Sequence, residues 1–148
     1  MLIVKALILS ILLATLPAHG REPIHKVVWL TTQSTPTTAL TQAKEATKDV
    51  NFYYFVVDEG RNILAHFENQ FPEHMVNRPE NEKIDYLERH ITPKIRAYAP
   101  ELMRSEVGLS LVKLYRIERL PAVVINDKYI TYGLSVSDSM DVYNRGGR

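Results

Sequence analysis

Ile117–Gly133 reads IERLPAVVINDKYITYG. A helical pattern stops at Ile117, and Leu120-Pro121 follows it. An apolar run, Ala122–Ile125, comes next, then Asn126-Asp127 and a second run, Tyr129–Tyr132. Proline is tolerated at the first position of a strand or in the turn before it, and Asn-Asp between two apolar runs is turn chemistry. The stretch therefore predicts helix, proline turn, strand, tight turn, strand. Base rates favour an ordinary trans bond at Leu120-Pro121. The sharper alternative is a cis peptide that exposes a backbone edge near the end of an earlier strand, and the order of elements around it favours that form.

The earlier strands lie upstream. Val27–Leu30 is a short apolar run without alternation, as expected of a strand covered on both faces. Asn51–Val57 (NFYYFVV) is aromatic and β-branched, and Asp58 and Gly60 close it. Between them Thr37 or Thr38 could cap a helix reaching Lys48, with Ala39, Leu40, Ala43 and Ala46 on its apolar side. Strand, short helix, strand predicts a βαβ unit with parallel strands.

Glu59–Glu106 is read as a helical insertion. Ile63, Leu64, Phe67 and Phe71 follow helical spacing, and Ile84, Leu87, Ile91 and Ile95 mark a second face. Pro93 must start a new turn or kink the helix, because it lacks an N–H and clashes one turn back. Pro100 opens a third helix reaching Arg116, with Val107, Leu111, Leu114 and Tyr115 read as one face. Ser135–Asp138 resembles a capping box ahead of a last helix bearing Val136, Met140 and Tyr143. The expected fold is α/β: a four-stranded mixed sheet in the order β-α-β-helical insertion-β-β-α, with helices on both faces. That order is thioredoxin-like.

Bulk properties bound the function. Residues 1–20 carry Lys5, an apolar stretch Leu7–Leu13, Pro17 and the small residues Ala18 and Gly20 around His19. This predicts a signal peptide cleaved after Gly20; the stretch is short of the ~20 apolar residues that span a bilayer. Removing 20 of the 148 residues leaves 128, residues 21–148, enough for one domain. The segment removed contains one base and no acid, leaving 17 basic and 17 acidic side chains. A neutral domain argues against nucleic acid and anionic lipid as partners. With no cysteine, the chain has no thiol nucleophile, thiolate metal site or disulfide couple.

The candidate site is the turn Thr31–Pro36, which holds the place where a redox thioredoxin carries its cysteines. Its hydroxyls and amide could bind an anion or carbonyl at a helix N-terminus, although helix capping explains any one of them. Gln33, Ser34 and Thr35, set beside Leu120 and Pro121, form a candidate groove for an extended peptide. Ser and Thr are weak nucleophiles without a base, so an enzyme would need His66, His74 or His90 to approach the turn in space. None of the histidines shows a compact ligand spacing, and no cofactor or metal is expected. Tyr53 and Tyr54 should point to opposite faces of their strand, and Tyr129 and Tyr132 could serve a protein-binding side.

The run LYRIERLPAVVINDKYITYGLSVSDSM, with VVWLTT and NFYYFVV upstream, resembles small exported integrating conjugative element proteins of Gram-negative transfer clusters. Pilus-assembly proteins of F-type conjugation systems share the leader, the proline turn and the final Tyr-Gly. The resemblance covers roughly Val27–Tyr143, and its motif matches at Leu120, Pro121 and Gly133. It implies a non-catalytic periplasmic accessory protein of a conjugative, type IV secretion-like machine, partnered by other envelope proteins of that machine. A cysteine-free thioredoxin-like chaperone or pilus-assembly helper is the alternative.

Overall fold

A computed structural model describes residues 21–146. The expected signal peptide lies outside the described residues. The elements are β1 (Lys26–Thr31), α1 (Thr37–Ala46), β2 (Asn51–Val56), α2 (Glu59–Glu68), a 3-10 turn (Glu73–Met75), α3 (Glu80–Tyr86), a π turn (Leu87–Ile91), α4 (Thr92–Arg96), α5 (Ala99–Leu114), β3 (Ala122–Ile125), β4 (Tyr129–Tyr132) and α6 (Val136–Asn144).

The four strands form one mixed open sheet in the order β2-β1-β3-β4. β1 runs parallel to β2 and antiparallel to β3, with Trp29 opposite Tyr54 on one side and Val123 on the other. β3 and β4 pair antiparallel through a turn in which Asn126 and Asp127 both take positive φ, 50° and 61°. Asn and Asp tolerate that left-handed conformation better than other non-glycine residues.

Alternation along β1 divides the core into two layers. Val27 and Trp29, with Val123 and Ile125, face Ala43 of α1 and Val136 and Tyr143 of α6. Val28 and Leu30, with Val124, face the other way, toward Leu109, Leu111 and Val112 of α5. Both faces of β1 and β3 are covered, which accounts for their unbroken apolar sequence.

Two helical expectations are corrected. Neither Thr37 nor Thr38 caps α1: the N-cap is Pro36, extended at φ −61° and ψ 142°, with no side-chain cap. The face of α5 is not Val107, Leu111, Leu114 and Tyr115 as a set, since Val107 and Leu114 are exposed. The buried residues of α5 are Ser105 and Gly108. A Cβ on Gly108 would stand 2.9 Å from the Phe55 Cβ of β2, so glycine sets how closely α5 lies on the sheet. Ser105 Oγ donates to the Val57 carbonyl at 2.9 Å and accepts from the Gly60 amide at 3.0 Å, bridging β2, α2 and α5.

Pro93 acts as the sequence requires. The Thr92 amide reaches back to the Leu87 carbonyl, widening the turn just before the proline, and a new short helix begins. Ser135 caps α6, accepting from the Asp138 amide at 3.0 Å, and Val136 and Tyr143 are buried on that helix.

Candidate functional site

β1 ends at Thr31, and the turn before α1 closes with the Thr35 amide on the Thr32 carbonyl at 3.0 Å. Its hydroxyls pair with one another. Thr31 Oγ1 bonds Thr35 Oγ1, and Thr32 Oγ1 bonds Ser34 Oγ at 2.7 Å. Gln33 is tied to the far side: its amide donates to Asp58 Oδ1 at 2.9 Å, and its Oε1 accepts from Asn62 Nδ2 at 2.7 Å. The turn is held by α2 and its approach, a link that sequence spacing does not reveal.

Leu120-Pro121 is cis. Leu30 and Ala122 are the last paired residues of the β1–β3 ladder, so Thr31 and Pro121 lie one step beyond them at the same end of the sheet. The Pro121 carbonyl accepts from Gly133 N at 3.0 Å. Leu120 packs into the layer of Val28, Leu30, Val57 and Val124. The five candidate groove residues thus share one end of the sheet, but their side chains diverge: Leu120 turns into the core, and Gln33 turns toward α2.

A cavity of about 230 Å³ lies beneath the turn on the Trp29 side. Gln33 and Thr35 line it, whereas Leu120 and Pro121 do not. Its apolar walls come from Trp29, Leu40, Tyr54 and Val56, and Glu59 is its one charged lining residue. Trp29 is only 4% exposed, and its indole Nε1–H has no acceptor among the described residues.

Of the three histidines that an enzyme might have used, His66 shares a shallow pocket with Gln33. Its Nε2 pairs with Gln70 at 2.8 Å, and no turn hydroxyl is among its hydrogen-bond partners. His90 packs on Tyr86 with ring centres 4.7 Å apart, and His74 is exposed in the 3-10 turn. Among the described residues no group of three His, Asp or Glu side chains is placed to hold a metal. No helix among them is long and apolar enough to cross a membrane.

The opposite end of the sheet carries two arrangements that the sequence does not disclose. Asn126 is buried, and its Oδ1 accepts from the amides of His25 and Lys26 at 3.0 and 3.2 Å. Its Nδ2 donates to the Pro23 carbonyl at 2.9 Å, so one side chain ties the lead-in to the β3–β4 turn. Beside it Asp127 Oδ1 accepts from Lys26 Nζ at 2.8 Å and from the Tyr115 hydroxyl. The Lys26 and Tyr115 contacts hold the Asp127 carboxyl below its usual range. The same carboxylate raises the Lys26 ammonium; burial, then Asp127, raises the Tyr115 phenol.

Tyr53 is exposed and Tyr54 half-buried on opposite faces of β2, as the strand period requires. Tyr129 instead stacks edge-on against Tyr143, with ring centres 5.5 Å apart. The Arg21 guanidinium stands 5.2 Å from the Tyr129 ring centre and 5.1 Å from that of Tyr143. Tyr132 is covered similarly by Arg119, at 5.2 Å.

These features define a class: an α/β protein on an open, four-stranded mixed sheet, with a turn and cavity at one end of its central strand. No protein-family model, curated protein or solved structure matches the chain.

Proposed function

We propose that this protein is a thioredoxin-like, non-catalytic accessory protein of a conjugative, type IV secretion-like DNA transfer system of an integrating conjugative element. It is exported through the leader at residues 1–20 and acts in the periplasm by binding other envelope proteins of the machine. It holds an extended segment of a partner at the end of the sheet where the Thr31–Pro36 turn and Pro121 meet.

The observation that carries this reading is the strand order. β2-β1-β3-β4, with β1 parallel to β2 and a proline leading into β3 beside the turn, is the arrangement in which a thioredoxin-like domain presents peptide-binding backbone. The turn here carries hydroxyls and an amide in place of thiols, and those hydroxyls bond each other. Binding without chemistry is the role such a turn suits. The resemblance of the leader and of the R-L-P-A-V-V and Tyr-Gly segments to integrating conjugative element proteins supports a place in conjugative transfer.

The test is Pro121→Ala in donor cells, with transfer frequency, recovery of envelope-spanning transfer components and protein abundance measured together. Loss of transfer and of one or two stoichiometric partners, at normal abundance, is expected. Unchanged transfer and recovery at normal abundance would retire the groove. Recovery of many unrelated unfolded chains would favour the chaperone-like helper.

A further inference from the structure

We infer that the outer edge of β2 is an interface between two copies of this chain. Each copy adds its own β2 to the other, antiparallel and about a two-fold axis at Tyr54, and the four-stranded sheet is doubled. The inference uses no part of the Pro121 groove and does not depend on it.

The two outer strands of the sheet differ in a way that points to this. A bare strand edge is a row of unpaired N–H and C=O groups, and proteins blunt such edges by keeping them short or charged. β4 is blunted. It has four residues, and the guanidinium groups of Arg21 and Arg119 stand over Tyr129 and Tyr132. β2 is not. Its six residues, Asn51–Val56, include no charge and no proline. None of its side chains is buried, although Phe52, Tyr53, Tyr54 and Phe55 are all aromatic.

The backbone says which residues await a partner. The Asn51 amide donates to the His25 carbonyl at 3.0 Å, and the Val57 amide to the Thr31 carbonyl at 2.9 Å. Alternate residues of a strand bond to the same neighbour, so Asn51, Tyr53, Phe55 and Val57 turn their backbone groups toward β1. Phe52, Tyr54 and Val56 turn theirs to the open edge.

A second β2 meets that edge without conflict. With Tyr54 opposite its own copy, Phe52 faces Val56 of the other chain and Val56 faces Phe52. Every outward backbone group is then paired, which a shifted register does not achieve. Tyr53, 49% exposed, comes opposite Phe55 at the closer, non-hydrogen-bonded position, where aromatic pairs gain most. No like charges meet, since the strand has none. A hollow of about 200 Å³ beside Tyr53 and Phe55, walled also by Leu111 and Tyr115 of α5, gives the incoming rings a seat. The two-fold pairing also closes on itself and leaves only the blunted β4 edges outward.

The full chain, purified, should sediment as a dimer that dissociates on dilution. Tyr53→Lys places a charge at an exposed edge position and should weaken dimerisation at least about tenfold while the urea unfolding of the monomer is kept. Tyr54→Pro removes an outward N–H that β1 does not use, and should do the same. The chain has no cysteine, so single-cysteine variants report the register cleanly. Directly opposed residues of a hydrogen-bonded pair lie about 5.5 Å apart between Cα atoms, within disulfide reach. Tyr54→Cys should therefore cross-link to its own copy under diamide. Tyr53→Cys meets its copy only diagonally, at about 7–8 Å, and should not.

A chain that stays monomeric at every concentration overturns the assignment. If Tyr53→Lys then still lost envelope partners from donor cells, the edge would belong to a strand of another protein. A dimer undiminished in folded Tyr53→Lys, or cross-linking of Tyr53→Cys as readily as Tyr54→Cys, overturns it equally.

Discussion

The β1–β3 pair and the stretch from Glu59 to Tyr98 contain similar kinds of side chain and treat them differently. Val27–Leu30 and Ala122–Ile125 are at most 4% exposed, walled by helices on both faces. Between Glu59 and Tyr98, the buried residues are Gly60, Phe67, Met75 and Ile91, while Leu64, Val76, Ile84 and Leu87 remain exposed. Leu64, Phe67, Phe71, Leu87, Ile91 and Ile95 do converge, but around a cavity of about 450 Å³. A strand flanked by neighbours and roofed twice has no solvent side. A short helix laid against another covers only one stripe and leaves the rest wet. Stability should therefore be concentrated in the sheet and its two roofs, with the helical stretch opening locally at lower free energy.

The strongest way to break this contrast is a matched pair of truncations. Leu30→Ala empties a fully buried site between β3 and α5 and should destabilise the protein by about 2–5 kcal/mol, by the measured range for buried leucines. Leu64→Ala, at a 44%-exposed position of α2, should change stability by about 0.5 kcal/mol. Urea unfolding of both variants measures the difference. Equal losses would show that the helical stretch is as integral as the sheet. Hydrogen exchange adds a local reading: amides of α3 and α4 should exchange well before those of β1 and β3.

Gly108→Ala sharpens the same contrast at the seam where α5 meets the sheet. Alanine favours a helix interior over glycine by about 1 kcal/mol. Against that, the new Cβ would stand 2.9 Å from the Phe55 Cβ, a backbone-anchored atom that cannot swing away. Overpacking of this kind costs about 1–3 kcal/mol, so a net loss of about 1 kcal/mol is expected. A stabilised variant would mean that α5 slides freely on β2, and the close approach inferred from Ser105 and Gly108 would fail with it.

What the sequence disclosed divides along the same line. β1, β2, β3 and β4 were legible because each is a short apolar or aromatic run ended by turn residues, and the Asn126-Asp127 turn falls where its chemistry places it. The face of α5 was not legible. Its contact residues, Ser105 and Gly108, are small and carry no hydropathy signal, while Val107 and Leu114 carry one and point outward. The candidate site was legible in position only. Sequence reading places the Thr31–Pro36 turn and Pro121 at one end of the sheet, as the β1–β3 register does. It could not see that Gln33 binds Asp58 and Asn62, or that Leu120 joins the core, because both depend on partners far along the chain. The orphan donor of Trp29 has no sequence signal at all.

The smallest expected effect lies at the other end of β1, where Asp127 receives Lys26 and Tyr115. The folded carboxyl titrates below its unfolded value, so its contribution is present above the unfolded carboxyl range and lost as pH falls through the folded value. Lys26 and Tyr115 are raised, so their contributions are full below their unfolded values and lost as pH rises through the folded ones. The cluster thus contributes over a plateau from roughly pH 5 to pH 9, bounded by ordinary Asp, Tyr and Lys titration. Both charged partners are at least one-third exposed, and screening limits the effect to below about 1 kcal/mol. Asp127→Asn isolates it, because asparagine accepts the positive φ at this position as readily as aspartate does. The variant should be slightly less stable at pH 7 in low salt, and the gap should narrow at acid pH as the parent's carboxyl takes up its proton. A deficit of the same size at both pH values would assign the effect to the turn backbone, leaving nothing for the ion pair.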